Sequence, residues 1–229
     1  MRKNSVEEHD SFRYFSVIMA LFVAVLLISN IASTKILLFW KFTFDGGTIL
    51  FPLSYIFGDI LTEVYGYQRT RKVIWTGFMA ALLMSLVLWI VQILPPAPDW
   101  PNQAAYETLI GFVPRIVLAS LTAYFAGEFI NSYILSRLKV IMKGKSLWVR
   151  TIGSTLVGEG IDTTIFCMIA FYKVLPGPLL VTVILSNYVF KCLIEILFTP
   201  VTYAIVRFLK KKEGVDVYDR GISYNPFTF

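Results

Sequence analysis

Long apolar blocks, broken at short intervals by glycine, proline or clustered charge, set the pattern of this chain. Six of them can be drawn, over residues 12–37, 48–66, 70–94, 108–137, 149–173 and 177–208. Each is long enough to cross ~30 Å of hydrocarbon as a helix. Asp45-Gly46-Gly47 separates the first two, the proline-rich run 95–101 the third and fourth, the basic run 139–145 the next pair, and Pro176-Gly177-Pro178 the last. Pro114 and Pro178 lie near helix starts, where a missing N–H costs little. Residues 1–11 are polar, and the apolar run that follows has no Ala-x-Ala ending, so it reads as a retained first span, not a signal peptide. The expectation is an all-α membrane protein: a tail over 1–11, a domain of six transmembrane helices over 12–208, and a tail over 209–229.

Composition agrees. The 229 residues are 56% hydrophobic and 16% charged, against about 25% charged in a soluble domain. The net charge of +6 first suggests nucleic acid, but its placement removes that reading. With the N-terminus inside, Arg2, Lys3, Arg13, Arg69, Arg71, Lys72, Arg137, Lys139, Lys143, Lys145, Arg150, Arg207, Lys210, Lys211, Lys212 and Arg220 fall on the cytoplasmic side. Only Lys35, Lys41 and Lys173 fall outside, so both termini are expected in the cytoplasm. Cys167 and Cys192 lie within apolar segments and read as small buried hydrophobes. The single histidine, His9, sits in the N-terminal tail, and no Walker motif occurs. The expectation is therefore no enzyme, no metal site and no cofactor.

Eight ionisable residues remain inside the spans: Asp59, Glu63, Arg115, Glu128, Glu159, Asp162, Lys191 and Glu195. Each costs roughly 2.5–3.5 kcal/mol at a helix centre unless it faces a partner or a wet cavity. Asp59 and Glu63 are one turn apart, Glu159 and Asp162 are three residues apart, and Asn187, Lys191 and Glu195 form one stripe. Blander readings exist for several. Lys191–Glu195 reads also as an ion pair within one helix, Arg115 as a side chain reaching the outer headgroups, Glu63 as a partner of Arg69 or Arg71, and Glu128 as a strut within the bundle. Asp59, Glu159 and Asp162 have no local base, and they point to a substrate or ion path. Asn30, Ser33 and Thr34 close the first span. Tyr55, Tyr65, Tyr124, Phe166, Tyr172 and Tyr188 are available to stack on a planar ligand, whereas Trp40, Trp89, Trp100 and Trp148 suit interfacial belts. Glycines 127, 153, 158 and 160 read mostly as helix packing. An acid pair in residues 58–63 and another in 158–162 suggest two inverted three-helix halves.

Several segments carry a resemblance: FPLSYIFGDILTEVYG (51–66), RIVLASLTAYFAGE (115–128), STLVGEGIDTTIFCMIAFY (154–172), NYVFKCLIEILFTPVTY (187–203) and the tail VDVYDRGISYNPF (215–227). Together they resemble the VUT family of queuosine precursor transporters, the YhhQ-like proteins. The resemblance implies a six-helix inner-membrane importer of 7-cyano-7-deazaguanine or its aminomethyl form. It falls on Asp59, Arg115, Ser154, Gly158, Asp162 and Lys191, and less uniformly on Glu63, Glu159 and Glu195; Asn187 stands where some relatives carry Asp. The expected substrate site is Asp59, Arg115, Tyr124, Glu159, Asp162, Asn187 and Lys191. Glu63, Glu128 and Glu195 are read as proton- or ion-coupling or structural. A carboxylate can accept the adjacent N1–H and exocyclic NH2 of a guanine-like face. The expected partners are a heterocyclic small molecule and the bilayer, with a homodimer carried as an assumption. Competing readings are a substrate-binding subunit of an energy-coupling-factor importer, for which Ala20 and Ala24 form a small-residue docking pattern, a carrier of another purine- or vitamin-like heterocycle, and a membrane enzyme or scaffold.

Overall fold

The computed structural model describes residues 12–40 and 42–227. The expected N-terminal tail with His9, and Lys41 of the outer loop, lie outside these described residues. The chain forms α1 (Phe15–Ala32), a hairpin of β1 (Ile36–Phe39) and β2 (Phe42–Asp45), a 3-10 turn (Gly46–Ile49), α2 (Phe51–Tyr65), α3 (Tyr67–Ile93), α4 (Gln103–Ile110), α5 (Val113–Ile141), α6 (Leu147–Phe171) and α7 (Gly177–Glu213). Five stretches are long and apolar enough to span a membrane: α1, α3, Gln103–Ile141, α6 and α7.

The second expected span is different in kind. Its helix, α2, has 15 residues, about 22 Å of rise, well short of the ~30 Å core. All of α2 except Leu53 and Phe57 is buried, because α1, α3, α5 and α7 pack around it. Lipid therefore touches its neighbours, and the polar residues of α2 face protein. The lipid-facing surface is supplied by exposed apolar rows such as Leu82, Leu86 and Ile93 on α3 and Leu185, Val189 and Ile196 on α7. Trp40, Trp89, Trp100 and Trp148 are exposed as the belt reading expected. The first span ends earlier than expected, at Ala32, and the residues after it pair as an antiparallel hairpin with Ile36 opposite Asp45 and Phe39 opposite Phe42. An apolar run such as Ile36–Phe39 fits a helix end and a strand equally well, so periodicity alone cannot separate them.

Both ends of the described chain meet at one end of the bundle. Glu213, at the close of α7, accepts hydrogen bonds from the backbone N–H of Arg13 (3.1 Å) and of Tyr14 (2.7 Å). Gly66 makes the tight turn from α2 to α3 there with φ 84°, and a side chain on it would collide with Val217 and Asp219 of the tail. The α5–α6 pair is the most extensive helix contact. Gly127 and Gly158 allow it: a Cβ on Gly127 would lie 2.8 Å from the Gly158 carbonyl oxygen, and one on Gly158 would lie 2.9 Å from that of Gly127. Gly153, by contrast, faces open space, and a Cβ on Gly160 would make only ordinary contact with Tyr188 at 3.5 Å, so close helix packing requires two of the four glycines.

Candidate functional site

Most ionisable residues of the bundle fall into three layers along its axis, with Glu63 and Arg115 outside them. The outermost is built by the hairpin. Asp45, at the end of β2, is buried and accepts from the Ser33 hydroxyl (2.7 Å), the Thr48 hydroxyl (2.8 Å) and the Asn187 amide (3.0 Å). Three elements, α1, the 3-10 turn and α7, are thus tied to one carboxylate. Gly46 and Gly47 make this approach possible, since side chains there would run into the Ala32 carbonyl and the Ser33 hydroxyl. Sequence reasoning treated Asp45 as part of a loop break and missed it. The signal was an acid followed by two glycines, twelve residues beyond Ser33 at the polar end of α1.

The middle layer is centred on Lys191. Its ammonium lies 2.8 Å from an Asp162 oxygen and 3.1 Å from a Glu159 oxygen, and 4.3 Å from the centre of the Phe51 ring. All three charged residues are buried. Lys191 is therefore bound across to α6, and the alternative reading of an ion pair within α7 between Lys191 and Glu195 is not realised among the described residues. Their four-residue spacing permits that pair, but the two acids of α6 offer Lys191 a better charge balance. Asn187 joins this layer to the outer one. Between the two layers lies a cavity of about 10 Å³, lined by Ser29, Asn30, Asp45, Phe51, Ser120, Asp162, Phe166 and Lys191 among others. That is room for roughly one water. The Asn30 and Ser120 side-chain oxygens and one oxygen of Asp162 are buried without a hydrogen-bond partner among the described residues. Tyr124 is buried beside this layer, its ring 5.6 Å from Phe51 and 5.7 Å from Tyr55. Of the other aromatics expected near the acids, Tyr188 donates to the Leu156 carbonyl (3.1 Å) and Tyr65 to Glu213 (3.1 Å). Tyr172 is exposed.

The inner layer holds Asp59, Glu128 and Glu195, all buried. Asp59 accepts from the Asn131 amide at 2.9 Å and Glu128 from the Ser132 hydroxyl at 3.2 Å. Neither Glu195 oxygen has a hydrogen-bond partner among the described residues. Glu63, one turn beyond Asp59, belongs elsewhere. It is buried and paired with the Arg150 guanidinium, with Lys210 at 2.7 Å and with Lys139 at 3.5 Å. The expected partners Arg69 and Arg71 are not used. Arg69 donates to the Tyr65 carbonyl (3.1 Å) and Arg71 to the Asn225 carbonyl (2.7 Å). Arg69 turns back to the end of α2 and Arg71 turns out to the tail, whereas Arg150, Lys139 and Lys210 approach Glu63 from three other helices.

Arg115 also stands apart. It donates to the carbonyls of Ile169 (2.9 Å) and Tyr172 (2.7 Å) at the end of α6, about two turns beyond Asp162 on that helix. Cys167 and Cys192 are free and buried, as expected. The C-terminal tail docks against the end that carries Glu63. Asp216 bridges Lys139 and Lys210, both at 2.7 Å. Burial would push its carboxyl up, but the hydrogen bonds from the two lysines hold it below the ordinary carboxylate range. Asp219 accepts from the Tyr67 backbone N–H (2.9 Å) and the Ser136 hydroxyl (2.7 Å).

Comparison with known proteins follows the same segments. The family model described as "Putative vitamin uptake transporter" matches residues 45–205. The "Probable queuosine precursor transporter" of Bacillus subtilis (strain 168) is 30% identical over 186 residues, 81% of each chain. The "Queuosine precursor transporter" of Escherichia coli (strain K12) is 28% identical over 164 residues, 70% of this chain and 71% of that one. No solved structure matches the chain.

Proposed function

From the premise that the chain belongs to the putative vitamin uptake transporter family, we propose that it is a multi-pass cell-membrane importer of queuosine precursors. Its cargo is 7-cyano-7-deazaguanine, the aminomethyl form, or both. The observation that supports this reading best is the buried Lys191–Asp162–Glu159 set beneath Phe51, with unpartnered polar atoms of Asn30, Ser120 and Asp162 turned toward one small cavity. A carboxylate of α6 accepts the N1–H and NH2 edge of the heterocycle. Lys191 or Asn187 donates to its carbonyl oxygen, and Phe51 or Phe166 covers the ring. Tyr124 shapes the wall behind Phe51, and Asp59 borders the site from the inner layer. Arg115 acts at one remove by fixing the end of α6. Such a site rejects analogues that leave its buried polar groups unpaired.

A cavity of about 10 Å³ is far smaller than a two-ring heterocycle, so this conformation is closed and transport requires opening at either end. The Asp45 network is the outer closure and the Glu63 network the inner one. The charge bias of the loops supports both termini in the cytoplasm. The inverted relation of the two halves is a further expectation that superposition of residues 15–93 on 113–213 checks.

Direct binding of both precursors to purified protein, followed by uptake into liposomes, tests the reading. Asp162→Asn is expected to remove uptake while folded protein remains in the membrane. Wild-type uptake by a well-expressed variant sinks the assignment. Uptake by the lone chain excludes an obligatory ATPase partner, and competition by other purines measures how narrow the site is.

A further inference from the structure

Lys191 can balance only one of Glu159 and Asp162, and no described base forms an ion pair with Asp59, Glu128 or Glu195. Carboxylates so placed cannot all be ionised without counter-charge. Glu128 is the best positioned to carry the balancing proton. It is wholly buried, Gly58 leaves the space its carboxyl occupies, and its second oxygen has no hydrogen-bond partner among the described residues. Its first oxygen starts a file of hydroxyls that crosses between helices. Ser132 Oγ lies 3.2 Å from Glu128, Thr62 Oγ1 3.2 Å from Ser132, and Thr70 Oγ1 3.2 Å from Thr62. Thr70 then meets the Gly66 carbonyl at 3.1 Å. All three hydroxyl residues are buried, and the file runs from mid-bundle toward the end where Asp219 and the tail dock. A serine or threonine that only satisfies its own helix bonds back to a carbonyl four residues earlier. Ser132 and Thr62 instead bond across from α5 to α2. Each hydroxyl both donates and accepts, which is what passing a proton requires.

We propose that Glu128 carries the proton of a proton-coupled transport cycle, and that Ser132, Thr62 and Thr70 conduct it toward the tail-bearing end. The Glu128 O–H bond breaks and Ser132 Oγ takes the proton. Ser132 gives its own proton to Thr62, Thr62 does the same to Thr70, and Thr70 gives one to water when that end opens. Glu128 is left as an anion and is reprotonated through the opened outer side. The groups facing Glu128 are Asp59 and Tyr55 from α2, Glu159 from α6, and Ser132 and Tyr124 from its own helix, with Asp162 of α6 facing Tyr55 and Tyr124 and Glu195 of α7 facing Asp59 and Glu159. Glu159 thus faces both Glu128 and Lys191, so cargo that draws Lys191 away changes the charge Glu128 meets.

This inference rests on the importer reading, and one experiment separates the two. Purified protein in liposomes is given 7-cyano-7-deazaguanine. Exchange at equal pH, accumulation driven by an imposed pH gradient, and cargo-driven pH change inside the vesicles are measured. Wild type is expected to show all three. Glu128→Gln is expected to keep exchange and to lose gradient-driven accumulation by about 100-fold, the low end of what a positioned proton-transfer group contributes. Thr62→Val, which keeps shape and removes the hydroxyl, is expected to slow accumulation and spare exchange. Wild-type exchange with no response to the pH gradient overturns the proton proposal alone, as does full accumulation by Glu128→Gln. If Thr62→Val accumulates normally, the hydroxyls are packing and the path is wrong. Absence of exchange in wild type overturns the importer reading, and this inference with it.

Discussion

Lys191 is the residue on which the middle layer depends. It lies between two acids of another helix and against the face of Phe51, so it cannot be removed without leaving buried carboxylates uncompensated. Breaking a buried pair from one side costs about 3–5 kcal/mol. Lys191→Met is therefore expected to lower the melting temperature in detergent and to abolish uptake. Lys191→Met with Asp162→Asn removes a charge of each sign, and it is expected to recover much of the stability and none of the uptake. If the single variant melts like wild type, the pairing does not carry the layer. The sequence pointed to Lys191, Glu159 and Asp162 because charged residues in apolar segments stand out individually. It could not show that Lys191 would choose α6 over Glu195 on its own helix. Spacing along one helix is visible in a sequence, and the approach of a second helix is not. Asp45 was missed for the related reason that a loop acid carries no insertion penalty until a fold buries it.

At the level of elements, α5 and α6 are held close by two glycines that touch each other's backbones. Substituting either with a larger residue must separate the helices and pull Asp162 away from Tyr55 and Lys191. Gly158→Leu is expected to cost at least about 1–3 kcal/mol, as overpacking in a filled core does, and to reduce substrate binding. Gly153→Ala, with nothing within 4 Å of its new methyl, is expected to be neutral or slightly stabilising, since alanine favours helix. Thermal melting of the purified variants compares them, and equal melting of both refutes the close-approach argument. The glycine pattern alone could not rank these positions, because a glycine needed at a contact and one facing open space look the same in sequence. The apolar blocks, by comparison, located α1, α3, α6 and α7 well, since lipid imposes length and hydrophobicity on any helix it touches. They located α2 as well but gave it the length of a lipid-facing span, which a helix surrounded by other helices does not need.

At the scale of the whole molecule, the end of the bundle that carries Glu63 includes a segment that the sequence reading treated as a plain tail. Residues 214–227 dock through Asp216 on Lys139 and Lys210, through Asp219 on Tyr67 and Ser136, and through the backbone carbonyl of Asn225 on Arg71. The same lysines hold Glu63, so the tail and the end of α2 share one set of charges. Asp216 has a folded-state pKa below the ordinary carboxylate value. Its contribution to docking is therefore fully present above about pH 4, the unfolded value, and is lost as pH falls through the lower folded value. Hydrogen exchange of residues 214–227 should stay protected from neutral pH down to about pH 5, once corrected for the pH dependence of intrinsic exchange, and rise only below the carboxylate range. In Asp216→Asn the tail should be less protected already at neutral pH, and its protection should vary less on acidification. The side chain is about half exposed, 44%, so solvent screens part of the attraction and the shift is expected to be graded, not abrupt. Protection in Asp216→Asn equal to wild type across this range would mean that Asp219, the Arg71 contact and the Lys139 hydrogen bond to the Val217 carbonyl (2.6 Å) hold the tail without the Asp216 carboxylate.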